Sequence, residues 1–159
     1  MLVNKHFLPA EKLASKLWQM AEASYQFGAP WQENEFLADL SLDHSEYVIL
    51  VEDDVMLGFL GYHWVVEEAE ITNLVVNQTE KHQGVGNRLI CELMDQVGSK
   101  GVEHVYLEVR ASNEAAQKLY KKNKFVAVGK RKHYYQNPQE DGIVMSGKVR
   151  IEKCQKLRV

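Results

Sequence analysis

Apolar residues along the chain follow two periods, and the change between them divides it. From Pro9 to Ala23, Leu13, Leu17, Met20 and Ala21, with Ala10 and Ala14, keep the three-to-four-residue spacing of one helix face, and Pro9 suits a first turn. Gly28-Ala29-Pro30 ends that helix, and Phe36, Leu37 and Leu40 predict a second, shorter one over Gln32–Leu40. After the break at Asp43-His44-Ser45 the pattern turns β-like. Tyr47–Val51 is a continuous apolar run, Glu52-Asp53-Asp54 is a turn, and Val55–Val66 completes an antiparallel hairpin. Glu67-Glu68, read as a solvated turn, leads into a third strand from Ala69 to Val76, so three strands form a meander.

The helical period then returns. Val85, Leu89, Leu93 and Val97, widened by Ile90 and Met94, predict a helix from Gly84 to about Val97, stopped by Gly98-Ser99-Lys100-Gly101. Val102–Val109 reads as a strand with Val105, Leu107 and Val109 facing inward and Glu108 on the opposite face. Ser112 or Asn113 can cap a further helix carrying Ala116, Leu119 and Tyr120 on one side, ended by Asn123-Lys124. Two strands, Phe125 to about Tyr134 and Gly142–Val149, follow, joined by the polar loop Gln136–Asp141. This order predicts an α/β fold: a mixed, mostly antiparallel sheet flanked by helices, with one right-handed parallel crossover.

Composition narrows the class. With 159 residues, 45% hydrophobic and 26% charged, the chain is expected to form a single domain over 1–159 with an adequate core. A net charge of −3 argues against direct nucleic-acid binding. Without a long apolar run or a signal-like start, the expected setting is cytoplasmic with no membrane role. Cys91 and Cys154 lie far apart, Cys91 beside the apolar helix face, where a buried structural thiol is expected; no spacing suggests a metal.

The candidate chemistry gathers around Lys81-His82-Gln83-Gly84-Val85-Gly86-Asn87-Arg88. Glycines where a strand hands over to a helix N-terminus leave backbone N–H groups and the positive end of a dipole facing outward, which suits an anion. The dinucleotide fingerprint fails because its third glycine falls at Leu89, and no Gly-Lys-Ser/Thr loop is present. Further on, Glu108 could accept a proton or be an ordinary solvated strand residue. Tyr120 could be a polar group or simply core.

Taken together, Leu74-Val75-Val76, the glycine-bearing octet, Leu107-Glu108-Val109-Arg110-Ala111-Ser112-Asn113 and Ala116–Tyr120 resemble the acetyl-CoA core of the GNAT acyltransferases. Ala29-Pro30-Trp31 with Phe36, Lys130–Tyr135 and Glu140–Met145 are similar to the branch of that family that acetylates the N-terminal alanine of ribosomal proteins. The resemblance implies a GNAT fold and acetyl-CoA as co-substrate. It implies that main-chain groups of Leu74, Val75 and Val76 hold the pantetheine arm and that His82, Gln83, Gly84, Val85, Gly86, Asn87 and Arg88 hold the pyrophosphate end. Lys118, Lys121, Lys122 and Lys124 would supply positive charge there, or form a solvated helix face. It further implies Glu108 as base for the acceptor amine, Tyr120 as acid for the departing thiolate, and Asn113 as a cofactor or positioning contact. Arg131, Tyr134 and Tyr135 would face a protein N-terminus, that of a ribosomal protein beginning with Ala. A lysine side chain, a small-molecule amine, or a non-catalytic acyl-CoA-binding role are the alternatives.

Three positions depart from the family pattern. Lys81 stands where Gln or Arg is usual, Asn87 where a basic residue is usual, and Lys124 where a glycine precedes Phe125, with Asn123 able to take a left-handed cap. The tail bearing Lys148, Arg150, Lys153, Lys156 and Arg158 reads as solvated, with contact to a ribosomal or RNA-associated partner as the alternative.

Overall fold

The computed structural model describes residues 1–78 and 84–150. They form β1 (Leu2–Val3), α1 (Ala10–Ser24), α2 (Glu33–Leu40), β2 (Ser45–Glu52), β3 (Val55–Val65), β4 (Glu68–Val76), α3 (Val85–Ser99), β5 (His104–Arg110), α4 (Glu114–Lys122), β6 (Val126–Tyr135) and β7 (Glu140–Lys148). The strands make one sheet in the order β1-β2-β3-β4-β5-β7-β6, antiparallel except for β4 against β5. This is the mixed sheet with one crossover that the pattern predicts. Three of its details differ, and one is that β7 takes in Glu140 and Asp141 rather than leaving them in the loop. The two-residue β1, pairing Leu2 with Leu50, is too short for any period to reveal, and Glu68 belongs to β4 rather than to a turn.

Each face of the sheet has its own core. Val48 and Leu50 join Leu60, Tyr62, Ala69, Ile71 and the α3 residues Val85, Leu89, Leu93 and Val97 on one side. Tyr47, Ile49, Phe59 and Val75 join Leu13, Leu17, Ala21 and Phe36 of α1 and α2 on the other. The unbroken apolar run of β2 follows from this, since a strand covered on both faces has no position left for a polar residue. Local caps set the helices. The Gln32 N–H donates to Glu35 Oε1 at 3.0 Å at the start of α2, and Asn113 Oδ1 accepts from the Ala116 N–H at 3.1 Å at the start of α4.

Two irregularities create the opening in which chemistry can occur. Partners in the β3–β4 ladder pass from Gly61↔Asn73 to Tyr62↔Ile71, which leaves Thr72 as an extra residue in β4. Such a bulge bends its strand and increases the twist. Next to it, the β4–β5 pairing ends after Glu70↔Tyr106, although β4 runs on to Val76 and β5 to Arg110. The two strands therefore splay. In the same half of the sheet, the α1–α2 core reaches β4 only through Val75 and includes no residue of β5, β6 or β7, so among the described residues the sheet is bare on that face.

Candidate active site

On the α3 side, the splay meets the glycine turn. Gly84 sits at φ +68°, a left-handed conformation that a side chain would strain, with nothing crowding its Cβ position. Gly86 is held by packing instead, since a Cβ there would lie 2.8 Å from Leu119 Cδ2 of α4. Val85 is 1% exposed, so at this position only the backbone N–H can reach a ligand. Asn87 Oδ1 accepts from Asn123 Nδ2 at 2.8 Å, tying the first turn of α3 to the end of α4. Arg88 N–H already bonds to the Gly84 carbonyl at 3.1 Å. His82 and Gln83, with Lys81, lie outside the described residues.

Leu74, Val75 and Val76 pair with Leu60, Phe59 and Gly58 of β3 on one edge and, among the described residues, have no strand partner on the other. Val75 is buried, so what these residues offer the opening is main chain. Beside them, Asn73 is 2% exposed and its Nδ2 has no hydrogen-bond partner among the described residues. The Tyr25 hydroxyl lies 3.5 Å from both Asn73 Oδ1 and the Leu74 carbonyl, the outer limit for a bond. Burial, partly offset by that carbonyl, pushes Tyr25 up to about 12. Neither Tyr25 nor Asn73 emerges from the sequence reading. The available signal was an amide inside an otherwise apolar strand, immediately before Leu74.

Tyr120 serves as core and as polar group at once. Its ring is 6% exposed and packs against Phe125 with centroids 5.6 Å apart. Burial pushes its pKa far above the ordinary tyrosine value, and the nearby hydroxyls of Tyr25 and Tyr135 add to the rise. Three phenols thus surround the splay from α1's end, α4 and β6. All three are held in the protonated form.

On the bare face, Glu108 projects from β5 opposite its core-facing neighbours Leu107 and Val109, as alternation requires. Its Oε1 is 2.9 Å from Arg131 Nε. The Tyr134 hydroxyl donates to the same carboxylate, the main reason its pKa rises, and the Arg131 guanidinium lies 5.4 Å from the Tyr134 ring centroid. Glu108, Arg131 and Tyr134 therefore form one cluster. Tyr135 packs edge-on against Tyr134, with centroids 5.0 Å apart, and under Arg110, whose guanidinium is 4.7 Å from its ring and 4.8 Å from that of Phe27. Arg110 also donates to the Pro138 and Gln136 carbonyls at 2.9 and 3.1 Å and pairs with Glu140 at 3.2 Å. It thereby fastens the β6–β7 turn and the α1–α2 connection to the end of β5. Glu140 is held below the usual carboxylate range by Ser112 and by Arg110.

Asn113 is occupied as the α4 cap, which leaves its amide nitrogen for any ligand. Cys91 is buried in α3, while Cys154 and the tail from residue 151 lie outside the described residues. Among the described residues no His, Cys, Asp and Glu group has metal-binding geometry, and no helix is long and apolar enough to cross a membrane.

Residues 11–125 match the acetyltransferase (GNAT) family. The chain is 34% identical over 131 residues, 81% of its length and 86% of the other's, to the [ribosomal protein bS18]-alanine N-acetyltransferase of Salmonella typhimurium. It is 33% identical over 119 residues, 74% of this chain and 80% of the relative, to the Escherichia coli K12 enzyme of the same name. The crystal structure of the Escherichia coli ribosomal-protein-S18-alanine N-acetyltransferase superposes with a TM-score of 0.81 at 26% identity, covering 99% of both chains. An aminoglycoside 6'-N-acetyltransferase complexed with coenzyme A shares the fold, with a TM-score of 0.79 at 17% identity over 94% of this chain and 97% of that one. A splayed parallel strand pair, a glycine-led helix at its mouth and this agreement over most of the chain lead to one assignment: the protein belongs to the GNAT family of acetyltransferases.

Proposed function

We propose that the protein transfers the acetyl group of acetyl-CoA to the N-terminal α-amine of a protein, a ribosomal protein of the bS18 type beginning with alanine. The carrying observation is the arrangement around the splay: Glu108 on the bare face, Tyr120 at the core side, and between them an unpaired strand edge with an orphaned amide, Asn73 Nδ2. The names of the relatives supply the acceptor.

The residues fit an acyl-CoA. The unpaired edge of Leu74–Val76 suits an amide-bearing arm laid alongside it as an added strand. The first amides of α3 suit a pyrophosphate. Acetyl-CoA supplies an activated acyl carbon; the protein must deliver a neutral amine and receive a thiolate.

An α-amine with a pKa of about 8 is mostly ammonium at neutral pH and lacks a free lone pair. Glu108 takes that proton, and the freed lone pair attacks the acyl carbon; the C–N bond forms, the C–S bond breaks, and the thiolate leaves. Arg131 orients the Glu108 carboxylate and competes with the ammonium for it, so amine entry loosens the ion pair. Tyr120, kept protonated by burial, donates to the departing sulfur. Its raised pKa makes full proton loss uphill, so hydrogen bonding to the thiolate is its main contribution. Direct transfer needs no nucleophilic cysteine, and Cys91 is buried in α3.

A peptide beginning with Ala, incubated with the protein and acetyl-CoA, should gain one acetyl group at its α-amine by fragment mass spectrometry. Transfer to lysine side chains or to a small polyamine, with the Ala peptide left untouched, would overturn the reading.

A further inference from the structure

The groove that holds Glu108 continues past it along the bare face, with a volume of about 330 Å³. Glu68 and Glu70 line it from β4, and Tyr106, Glu108 and Arg131 line it from β5 and β6. On β4 the alternate residues Ala69 and Ile71 enter the α3-side core, so both glutamates stand on the face that Glu108 occupies on β5. Glu70 is in register with Tyr106, one pleat before Glu108.

The charges do not balance. Three carboxylates share the groove with one guanidinium, and that guanidinium is committed to Glu108. Among the described residues, neither Glu68 nor Glu70 has an ion-pair partner. His63 lines the groove from β3, in register with Glu70, and its Nε2 is hydrogen-bonded to Asp39 Oδ1 at 2.5 Å; this buried carboxylate also accepts from the Ser45 and Tyr47 hydroxyls at 2.6 and 2.7 Å. A concave surface of one sign focuses potential and draws in the opposite charge. Solvated glutamates on a convex face would lack this effect and would not adjoin a proton acceptor.

We propose that the groove reads the acceptor chain behind its reacting amine, with Glu70, and Glu68 beyond it, selecting an Arg or Lys side chain within the first few residues. The inference rests on the N-terminal acetyltransferase reading and names the substrate class of that same groove. An extended chain advances about 3.3 Å per residue, and successive same-face residues of a strand stand roughly 7 Å apart. With the α-amine at Glu108, the side chains of the second to fourth residues come within reach of Glu70 and then Glu68. Their aliphatic stems can lie along the Tyr106 ring while the charged head meets the carboxylate.

The test uses the full chain and Ala-initiated peptides that differ only at positions 2 to 4, carrying Arg, Ala or Glu. The Arg peptide should exceed the Ala peptide in kcat/KM by about 10-fold or more, mostly through KM, with the ratio shrinking as salt rises. Glu70→Gln should compress that ratio, and Glu70→Lys should invert it in favour of the Glu peptide. Each ratio is taken within one protein, so partial misfolding does not mimic the result. A ratio near one in the parent, or a ratio unchanged by Glu70→Lys, overturns the proposal. Calorimetric binding of the same peptides with acetyl-capped N-termini separates the two readings. A charge preference that persists there without turnover on free peptides breaks the acetyl-transfer reading and keeps the groove; turnover without preference does the reverse.

Discussion

The two halves of the sheet differ on the face turned to α1 and α2. From β2 to β3, Tyr47, Ile49 and Phe59 meet Leu13, Leu17 and Phe36, and every position on that face is apolar or satisfied. From the β4–β5 junction to β6 no helix among the described residues covers the face, and the alternate positions become Glu70, Tyr106 and Glu108. The difference lies in cover, since β4 and β5 are as well packed as β2 on their other side. Where both faces are buried, an ionisable side chain costs several kcal/mol. Where one is open, the fold tolerates carboxylates, and a reactive one can be held by a neighbour such as Arg131.

The largest test of this comparison removes the charge on the open side. Glu108→Gln should lower kcat by 100-fold or more, the scale of a lost general base, with acetyl-CoA affinity near that of the parent because the backbone cradle is intact. Equal turnover would reject Glu108 as base. Tyr120→Phe keeps the ring against Phe125 and deletes the hydroxyl, so kcat should fall by roughly 10- to 100-fold at nearly constant stability. If the melting midpoint drops and turnover per folded molecule does not, Tyr120 is core alone. On the covered side the signs reverse. Leu17→Ala, at a fully buried position between α1 and the sheet, should cost about 2–5 kcal/mol of stability in denaturant unfolding while kcat per folded molecule stays within a factor of about two. A matching loss of kcat would mean that the α1–α2 core positions the reactive face.

Much of this division was legible in the residues. The continuous run Tyr47–Val51 announces a strand buried on both faces, and the alternation at Leu107-Glu108-Val109 announces one open face; both survive into the structure because neither depends on what lies opposite. The family resemblance set Arg131, Tyr134 and Tyr135 against the acceptor; that Arg131 and Tyr134 reach Glu108 itself was not legible, since no periodicity relates residues so far apart. The splay was not legible. It arises where the bulge at Thr72 meets the end of the β4–β5 pairing, and a bulge is a property of two strands in register. Tyr25 escaped for a similar reason. It follows α1 in a connection whose path is set by packing, including Phe27 against Arg110, and no local rule places such a residue beside Leu74.

The smallest expected effect concerns the turn between α4 and β6, where the sequence suggested that Asn123 takes the left-handed cap. Asn123 is at φ −95°, and Lys124, in the place of the usual glycine, carries the positive φ of +71°. A non-glycine residue there costs about 1–2 kcal/mol, whereas glycine gives back part of the gain, about 0.5–1 kcal/mol, through the entropy it loses on folding. Lys124→Gly should therefore stabilise the protein by up to about 1 kcal/mol, read as a higher thermal midpoint. Lys124→Ala removes the same charge but keeps the strained backbone, so its midpoint should stay close to the parent's. If alanine stabilises as much as glycine, the gain comes from relieving repulsion with Lys121 and Lys122, and the left-handed turn is a tolerated conformation with no strain to release.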